Sequence, residues 1–429
     1  MGGDNNIGDV KENLFADLSG KKTLFTNRSA LTAHYLPDEL PGREKEMRTL
    51  ARHLYKGFEW CARNAFIYGV SGAGKTVVVK HVFSQLLNYK HGDGRKADFC
   101  FINCKQTHNM NQILGTLIDS LTVPSDSFKP RKTWTGYSSS ALLYKFIDIY
   151  NKKERVFFVV FDEVDQLPTS SQDILYYLTR LKEQEKVNNP ISTIGISNDV
   201  HFFENLDPRI QSSFGHDAFV FKSYNAVELE QILSKRVKLG VRDGVVDRDV
   251  ILLCSALGAQ EHGDARKSLD LLRICIEIAE DQEEKTVSKQ VVPEAERKME
   301  NQVVQNIIES FSIHEKLLLF AILDETRKQK YANTTEIYTQ YGSLCNNLHY
   351  NTLTRRRVAD FINRMDMLGI IDARVFSKGR YGKTREICLS VQREEVKKTL
   401  SNDDVLRFPL LASRLDSRLE DFSGTEVKN

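Results

Sequence analysis

The chain has 429 residues, of which 41% are hydrophobic and 28% charged, so we expect about two to four globular domains. Its formal net charge of +2 neither favours nor excludes nucleic acid, so any basic surface must be local. The sequence has neither an apolar run near the roughly 20 residues of a membrane span nor a signal-peptide pattern. The seven cysteines lack zinc spacing, which favours free thiols and a cytoplasmic location.

A glycine-rich loop lies between a predicted strand and a predicted helix. Residues 65–68 are apolar, residues 69–76 follow the pattern G-x-x-x-x-G-K-[ST], and a helical stretch can continue from Val77. This order is the context that a phosphate-binding loop requires, since backbone N–H groups and a helix N-terminus then face one anion. We expect Lys75 to reach the β- and γ-phosphates of ATP and the Thr76 hydroxyl to hold Mg²⁺.

Polar residues follow two further predicted strands. Residues 156–161 are all apolar, which is typical of a strand buried on both faces of a parallel sheet, and Asp162 and Glu163 come next. Asp162 would complete the Mg²⁺ shell and Glu163 would polarise the attacking water. The strand at 192–197 ends at Asn198, which would lie beside the phosphates. Such residues are also ordinary in loops, but the upstream glycine loop favours the catalytic interpretation.

The pattern changes along the chain and predicts three domains. Residues 1–222 predict an α/β base domain with a P-loop and a parallel sheet, of which 1–20 are expected to be flexible. Residues 223–292 predict a small all-helical lid domain. Residues 293–400 predict a winged-helix domain, and 401–429 form a tail to which the sequence assigns nothing.

The winged-helix prediction rests on three helices followed by a hairpin. Ser312 and Glu315 have the spacing of a capping box, and residues 334–336 would cap a second helix that ends near Tyr341. A third helix runs from about Leu353 to Leu368, and strand-like segments at 373–376 and 386–389 enclose a basic turn.

Residues 122–140, in the base domain, are rich in Pro, Ser and Lys and indicate an insertion.

Basic residues cluster on the third helix and on the hairpin, where a winged helix would meet duplex DNA. The alternative is a solvated basic face that contacts protein. The DNA-binding candidates are Arg355, Arg356, Arg357, Arg364, Arg374, Lys378, Arg380, Lys383 and Arg385.

The order of these motifs over residues 35–389 resembles the AAA+ replication initiators of archaea, relatives of origin recognition complex subunit 1 and cell-division-cycle 6-type proteins. The resemblance implies that Asn198 is the first sensor. Arg209, in Pro-Arg-Ile-Gln-Ser-Ser, would be an arginine finger that acts on nucleotide in a neighbouring subunit. Arg266, in Gly-Asp-Ala-Arg-Lys, would be the second sensor and reach the γ-phosphate.

The resemblance also implies a complete nucleotide-binding set. Residues 35–43 would run over the adenine, and the stretch Tyr-x-x-x-Glu-Leu at 224–229 would join base to lid. The region around Trp134 would fall where the family grips DNA. The binding candidates are Tyr35, Leu36, Arg43, Gly72, Ala73, Gly74, Lys75, Thr76, Val77, Tyr224, Arg236 and Arg266.

From this resemblance we expect a nucleoid-associated initiator and weak ATPase whose ATP/ADP state acts as a slow switch. Its expected partners are double-stranded origin DNA, a replicative helicase of the minichromosome maintenance type and paralogous initiator subunits, with no membrane.

Two other classes share these motifs. A nucleotide-regulated winged-helix transcription factor of the signal-transducing ATPase type remains the alternative, although residues 223–289 lack the Gly-x-Pro motif of that class. A clamp-loader-like motor would end in a helical collar, which the basic third helix and hairpin disfavour.

Overall fold

The computed structural model describes residues 23–92, 94–107, 109–122, 134, 136–181, 185–214, 217–329, 331–377 and 383–403. The chain divides into two compact units, one up to Val292 and one from Pro293 onward. Within the described ranges, we find no helix with both the length and the apolar character of a membrane span.

A five-stranded parallel sheet forms the centre of the first unit. Its strands are β1 (Ala65–Gly69), β2 (Lys96–Asn103), β3 (Arg155–Asp162), β4 (Ile191–Ser197) and β5 (Ala218–Phe221). Their order across the sheet is β2-β3-β4-β1-β5. Successive residues of β3 enter two different apolar clusters, so the strand is buried on both faces as predicted. All five carboxyl ends therefore meet at one edge.

Six α-helices accompany this sheet in the part of the unit that the structure describes: α1 (Glu44–Tyr55), α2 (Lys75–Asn88), α3 (Met110–Thr122), α4 (Ser139–Asn151), α5 (Asp173–Arg180) and α6 (Pro208–Phe214). The sequence did not predict α5 and α6, because helices of eight and seven residues complete too few turns to show a clear period. Most of the predicted insertion, residues 123–133 and 135, lies outside the described residues. Trp134 itself is half-buried and packs against the main apolar cluster.

Three helices complete the first unit and confirm the predicted helical lid: α7 (Ala226–Gly240), α8 (Arg248–Gln260) and α9 (Ala265–Asp281). Asn225 and Glu228 form a capping box that fixes the start of α7. The carboxylate of Asp264 caps α9, because its Oδ1 accepts hydrogen bonds from the backbone N–H groups of Arg266 (2.8 Å) and Lys267 (3.4 Å).

The second unit has the elements of a winged helix. Its helices are α10 (Val292–Glu309), α11 (Ile313–Lys328), α12 (Thr334–Asn347), α13 (Arg355–Met367) and α14 (Arg393–Ser401). The strands β6 (Ala332–Asn333), β7 (Ile371–Ser377) and β8 (Lys383–Leu389) form an antiparallel sheet in the order β6-β8-β7. The predicted capping box of Ser312 and Glu315 is confirmed, whereas α14 was not predicted.

The prediction for α12 was right about its start at Thr334 and about Glu336 as part of the cap, but it was wrong about the N-cap residue and about the end of the helix. Its N-cap is Asn333, whose Oδ1 accepts the N–H groups of Thr335 and Glu336, each at 3.0 Å. The helix also continues past Tyr341 to Asn347, because Leu344 and Cys345 still face the apolar core. An Asn is as good an N-cap as a Thr, so the sequence pattern alone allowed either start.

Candidate functional site

The glycine loop joins β1 to α2 and leaves no space for larger residues at two positions. Gly72 and Gly74 have φ values of +73° and +85°, which favour glycine. A Cβ on Gly74 would lie 2.4 Å from the Tyr224 hydroxyl, and one on Gly72 would lie 2.0 Å from Asp264 Oδ1. The loop is therefore enclosed by lid-side residues, while the first N–H groups of α2 lack intrahelical partners and can face an anion.

Lys75, the first residue of α2, has its ammonium group surrounded by oxygens. Its Nζ donates to the carbonyls of Gly69 (2.7 Å) and Val70 (2.8 Å) and to Asn198 Oδ1 (2.8 Å). Burial, together with the positive charge of Arg266, lowers the pKa of Lys75 to about 8. A phosphate group would replace these neutral acceptors with a charged one, so the site favours an anionic ligand.

Thr76 and Asp162 meet at the carboxyl end of β3. The Thr76 hydroxyl donates to the two carboxylate oxygens of Asp162 at 3.1 and 3.2 Å. Burial raises the pKa of Asp162, since desolvation disfavours its negative charge. A hydroxyl and a carboxylate side by side are hard oxygen donors of the kind that Mg²⁺ binds together with phosphates, so these residues fit that ion. Glu163, next along the chain, has φ +53° and lines the same cavity.

Asp165 is a residue that the sequence analysis missed. It lies on the one-turn 3₁₀ helix Val164–Gln166, directly after Glu163. Its Oδ1 accepts hydrogen bonds from the Ser197 hydroxyl (2.9 Å) and from the backbone N–H of Asn198 (3.2 Å). A third acid shortly after Asp162 and Glu163 was visible in the sequence, but its partners on β4 are known only from the fold.

The lid contributes Arg266 to the cavity, from the first turn of α9. Asp264, also missed from sequence, packs against Gly72, and the Ala265 N–H lies 3.4 Å from the Gly72 carbonyl oxygen.

Asn103, at the end of β2, also lines the cavity. A polar residue that ends a parallel strand was a signal that could have identified it.

The far end of the cavity is formed by an extended segment near the start of the described chain. Tyr35 and Leu36 line it. Arg236 is buried; its guanidinium donates to the carbonyls of Ala30 (3.0 Å) and Tyr35 (3.1 Å), so it anchors this segment to α7. The prolines and leucines of this segment, with Ile232 and Leu239 of α7, give this end an apolar surface suited to a flat aromatic base, beside charged residues of the same helix.

These elements enclose one cavity of about 860 Å³ within the first unit. Ten of the predicted nucleotide-site residues line it: Tyr35, Leu36, Gly72, Gly74, Lys75, Thr76, Val77, Tyr224, Arg236 and Arg266. Three predicted catalytic residues line it as well: Asp162, Glu163 and Asn198.

Arg43, Ala73 and Arg209 do not line the cavity. Arg43 is buried beneath the loop, where its Nε donates to the Ala73 carbonyl at 3.0 Å and its Nη2 to the Lys222 carbonyl at 2.5 Å. It thereby fixes the loop to the end of β5. Arg209 is exposed and pairs with Asp207, with Nη2 2.9 Å from Oδ2.

The second unit presents the basic candidates on α13 and on the hairpin. Arg355, Arg356 and Arg357 are exposed in the first turn of α13. Arg374 is exposed on β7, and Arg385 on β8 donates to Asn363 Oδ1 at 2.5 Å. Lys383 begins β8, whereas Lys378 and Arg380 lie outside the described residues.

Arg364 differs from the other basic candidates. Its Nη1 lies 2.7 Å from Oε1 of Glu315, whose side chain is only 2% exposed. The guanidinium therefore joins α13 to the capping box of α11. The sequence could not give this, because the partner is 49 residues away.

Comparison with known families assigns all three parts of the chain. Residues 39–194 match the AAA ATPase domain family, and residues 230–297 match the Cdc6 AAA+ ATPase-type lid domain family. Residues 306–399 match the CDC6 C-terminal winged helix domain family. The predicted fold class is thereby confirmed.

Individual relatives match over nearly the whole chain. The ORC1-type DNA replication protein of Pyrococcus horikoshii is 39% identical over 408 residues, which are 94% of this chain and 96% of the relative. ORC1-type DNA replication protein 1 of Sulfolobus acidocaldarius is 37% identical over 93% of this chain and 98% of its own. The Aeropyrum pernix ORC1 protein, solved in complex with DNA, is 34% identical with a TM-score of 0.74, covering 92% of this chain and 100% of that one. The chain belongs to the family of ORC1-type DNA replication proteins.

Proposed function

We propose that this protein is an ATP-dependent replication initiator that binds double-stranded origin DNA and helps to recruit the replicative helicase. The observation that carries the proposal is the single cavity in which the glycine loop, the acids after β3, Asn198 and Arg266 of the lid converge. The relatives named as ORC1-type DNA replication proteins, and the Aeropyrum pernix ORC1 protein solved with DNA, support the replication role.

In this proposal ATP lies with its base against Tyr35 and Leu36 and its phosphates on the loop. Lys75 and the N–H groups of α2 hold the phosphates. Thr76 and Asp162 would hold Mg²⁺, which would supply positive charge beside the phosphate oxygens. Glu163 orients and polarises the attacking water, and Asn198 fixes the Lys75 ammonium. These roles give a weak ATPase.

Nucleotide acts as a switch because both base and lid face its phosphates. Asp264 packs on Gly72, and Arg266 reaches the same space from α9. When the γ-phosphate leaves, Arg266 loses its contact, and the relative angle of base and lid changes. A switch of this kind needs few turnovers, so hydrolysis is slow.

DNA binding is proposed for the exposed arginines of α13 and for the hairpin. The first turn of a recognition helix faces base edges and phosphates, and the hairpin faces the neighbouring backbone. Arg356 is exposed and makes no hydrogen bond or ion pair with the residues that the structure describes, so it can pair with a phosphate without first breaking a contact.

Assembly with paralogous initiators is proposed to use Arg209. The Arg209 side chain is exposed and does not line the nucleotide cavity of its own chain. An arginine that completes the site of a neighbouring subunit needs such a position. The helicase partner and association with the nucleoid follow from the initiator role.

The proposal is tested by replacing the endogenous protein with Lys75→Ala or Glu163→Gln. Lys75→Ala should abolish nucleotide binding, Glu163→Gln should bind ATP without hydrolysing it, and neither should support origin-dependent replication. A matched control is Lys152→Ala, which removes a lysine that is 70% exposed at the C-cap of α4. Normal replication with Lys75→Ala would contradict the proposal. If the chain instead controls transcription, the variants should change transcript levels while replication continues.

A further inference from the structure

Asp165 joins the ends of two neighbouring strands, next to residues that line the cavity but without lining it itself. It follows β3 by three residues, and its Oδ1 receives the Ser197 hydroxyl (2.9 Å) and the Asn198 N–H (3.2 Å) at the end of β4. Its Oδ2 receives the side-chain amide of Gln166 at 2.8 Å. Both carboxylate oxygens thus accept hydrogen bonds, and the carboxylate spans the gap between the catalytic acids and Asn198.

The chemistry of Asp165 suits this task. Partial burial tends to raise the pKa of its carboxyl, but the hydrogen bonds from Gln166, Ser197 and Asn198 outweigh that effect, and the pKa lies below its usual value. Asp165 is therefore an anion at neutral pH and only accepts hydrogen bonds. The Ser197 hydroxyl donates a hydrogen bond to this anion and accepts one from the Asp199 N–H at 3.0 Å. The second bond closes the turn that carries Asn198.

The position of Asn198 matters because its amide oxygen is one of the three acceptors of the Lys75 ammonium. The turn after β4 sets where that oxygen lies, and Asp165 is bonded to the backbone and to the neighbouring side chain of that turn. Asp165 itself does not line the cavity, so its contact with the phosphate site runs through the turn that carries Asn198. Its negative charge also favours the charged form of Lys75, although burial keeps the pKa of Lys75 below its usual value.

We propose that Asp165 is a positioning residue for ATP hydrolysis, which holds Asn198 in register with Lys75 and with the acids after β3. This inference rests on the proposed function, since it needs hydrolysis at this cavity. A displacement of about 1 Å in a reacting arrangement costs on the order of 100-fold in rate, so loss of Asp165 should act mainly on kcat.

The experiment measures kcat, KM and the Kd of fluorescent ADP for the full chain and four variants: Asp165→Ala, Asp165→Asn, Asn198→Ala and the double variant Asp165→Ala/Asn198→Ala. The matched control is Asp148→Ala, an exposed acid on α4 that pairs with Lys152. Asp165→Asn keeps one amide oxygen, which can accept the hydrogen bonds of Ser197 and Asn198 but not the one that Gln166 donates to Oδ2. It therefore separates the loss of the acceptor that faces β4 from the loss of the charge.

We expect Asp165→Ala to lower kcat about 10- to 100-fold with the Kd for ADP changed less than about threefold. Asp165→Asn should keep kcat within about threefold of the parent, because the acceptor is retained. In the Asn198→Ala background, Asp165→Ala should have no further effect on kcat, since residues that act as one unit are not additive.

Two results would overturn the inference while leaving the proposed function intact. One is a normal kcat for Asp165→Ala when Asn198→Ala is slow. The other is a double variant whose loss equals the product of the two single losses, since Asp165 would then act independently of Asn198. If Lys75→Ala hydrolyses ATP normally, the proposed hydrolytic site is wrong and the inference falls with it.

Discussion

The Lys75 ammonium lies 2.8 Å from Asn198 Oδ1, in a space where burial lowers the pKa of Lys75 to about 8. Phosphate favours the ammonium form, so nucleotide binding above pH 8 must take up a proton. We expect the affinity for ATP to change little near pH 7, where Lys75 is already charged, and to weaken by up to about tenfold per pH unit above pH 8.

The matched variant for this prediction is Lys75→Arg, because a guanidinium stays charged over the same range. Its affinity is expected to be lower but independent of pH between 7 and 10. Titration of the Kd for ATP by fluorescence at each pH measures both proteins. A flat profile for the parent protein would show that Lys75 remains charged in the free site.

Arg356→Ala should weaken binding to duplex DNA and reduce the slope of log Kd against log salt by about 0.9, the value for one lost phosphate contact. Arg356 is exposed on the first turn of α13, so its removal should leave the fold unchanged. Arg248→Ala provides the control, since this arginine is 81% exposed in the lid. An unchanged slope for Arg356→Ala would remove the first turn of α13 from the DNA interface.

Arg364→Ala should act on the fold of the winged helix and not on the salt dependence. The substitution leaves the buried Glu315 carboxylate without its cation. The free energy of unfolding of the winged helix should fall by about 1–2 kcal/mol, less than for a fully buried ion pair because the Arg364 side chain is half-exposed. Amide hydrogen exchange of residues 355–367 in the full chain measures this loss. Unchanged exchange combined with a slope reduced by about one would instead assign Arg364 to a phosphate.

Arg209→Ala should leave the affinity of the dilute protein for ATP within about twofold, because the side chain does not line its own cavity. In concentrated or DNA-bound assemblies it should lower hydrolysis by at least about tenfold. Mixing Arg209→Ala chains with Lys75→Ala chains should restore part of the activity, since each supplies what the other lacks. Equal loss in the isolated monomer would exclude action on a neighbouring subunit.

Local sequence patterns were sufficient to predict three residues that line the cavity next to the sheet. Lys75, Asp162 and Asn198 each follow a parallel strand or a glycine loop, and parallel strands bring their carboxyl ends together at one edge of a sheet. The prediction of these three residues therefore needed only the glycine loop and the strand assignments, whereas Arg266 and the segment at Tyr35 were expected from the family resemblance.

The residues that the sequence did not reveal depend on contacts between distant segments. Arg43 matches the segment expected over the adenine but is buried under the loop, bonded to the Lys222 carbonyl 179 residues away. The role of Asp165 follows from its hydrogen bonds to Ser197 and Asn198 at the end of a neighbouring strand. The role of Arg364 follows from its contact with Glu315. The chemistry of a side chain limits the hydrogen bonds that it can make, and the tertiary fold determines which of them form.

The most direct test of the initiator account is a genome-wide occupancy map of this protein, overlaid on the start sites of nascent DNA strands in the organism that encodes it. The account predicts peaks that coincide with a few replication start sites and that weaken in the Arg356→Ala variant. Peaks at many promoters, with none at replication start sites, would contradict it and assign the same fold and ATP site to the control of transcription.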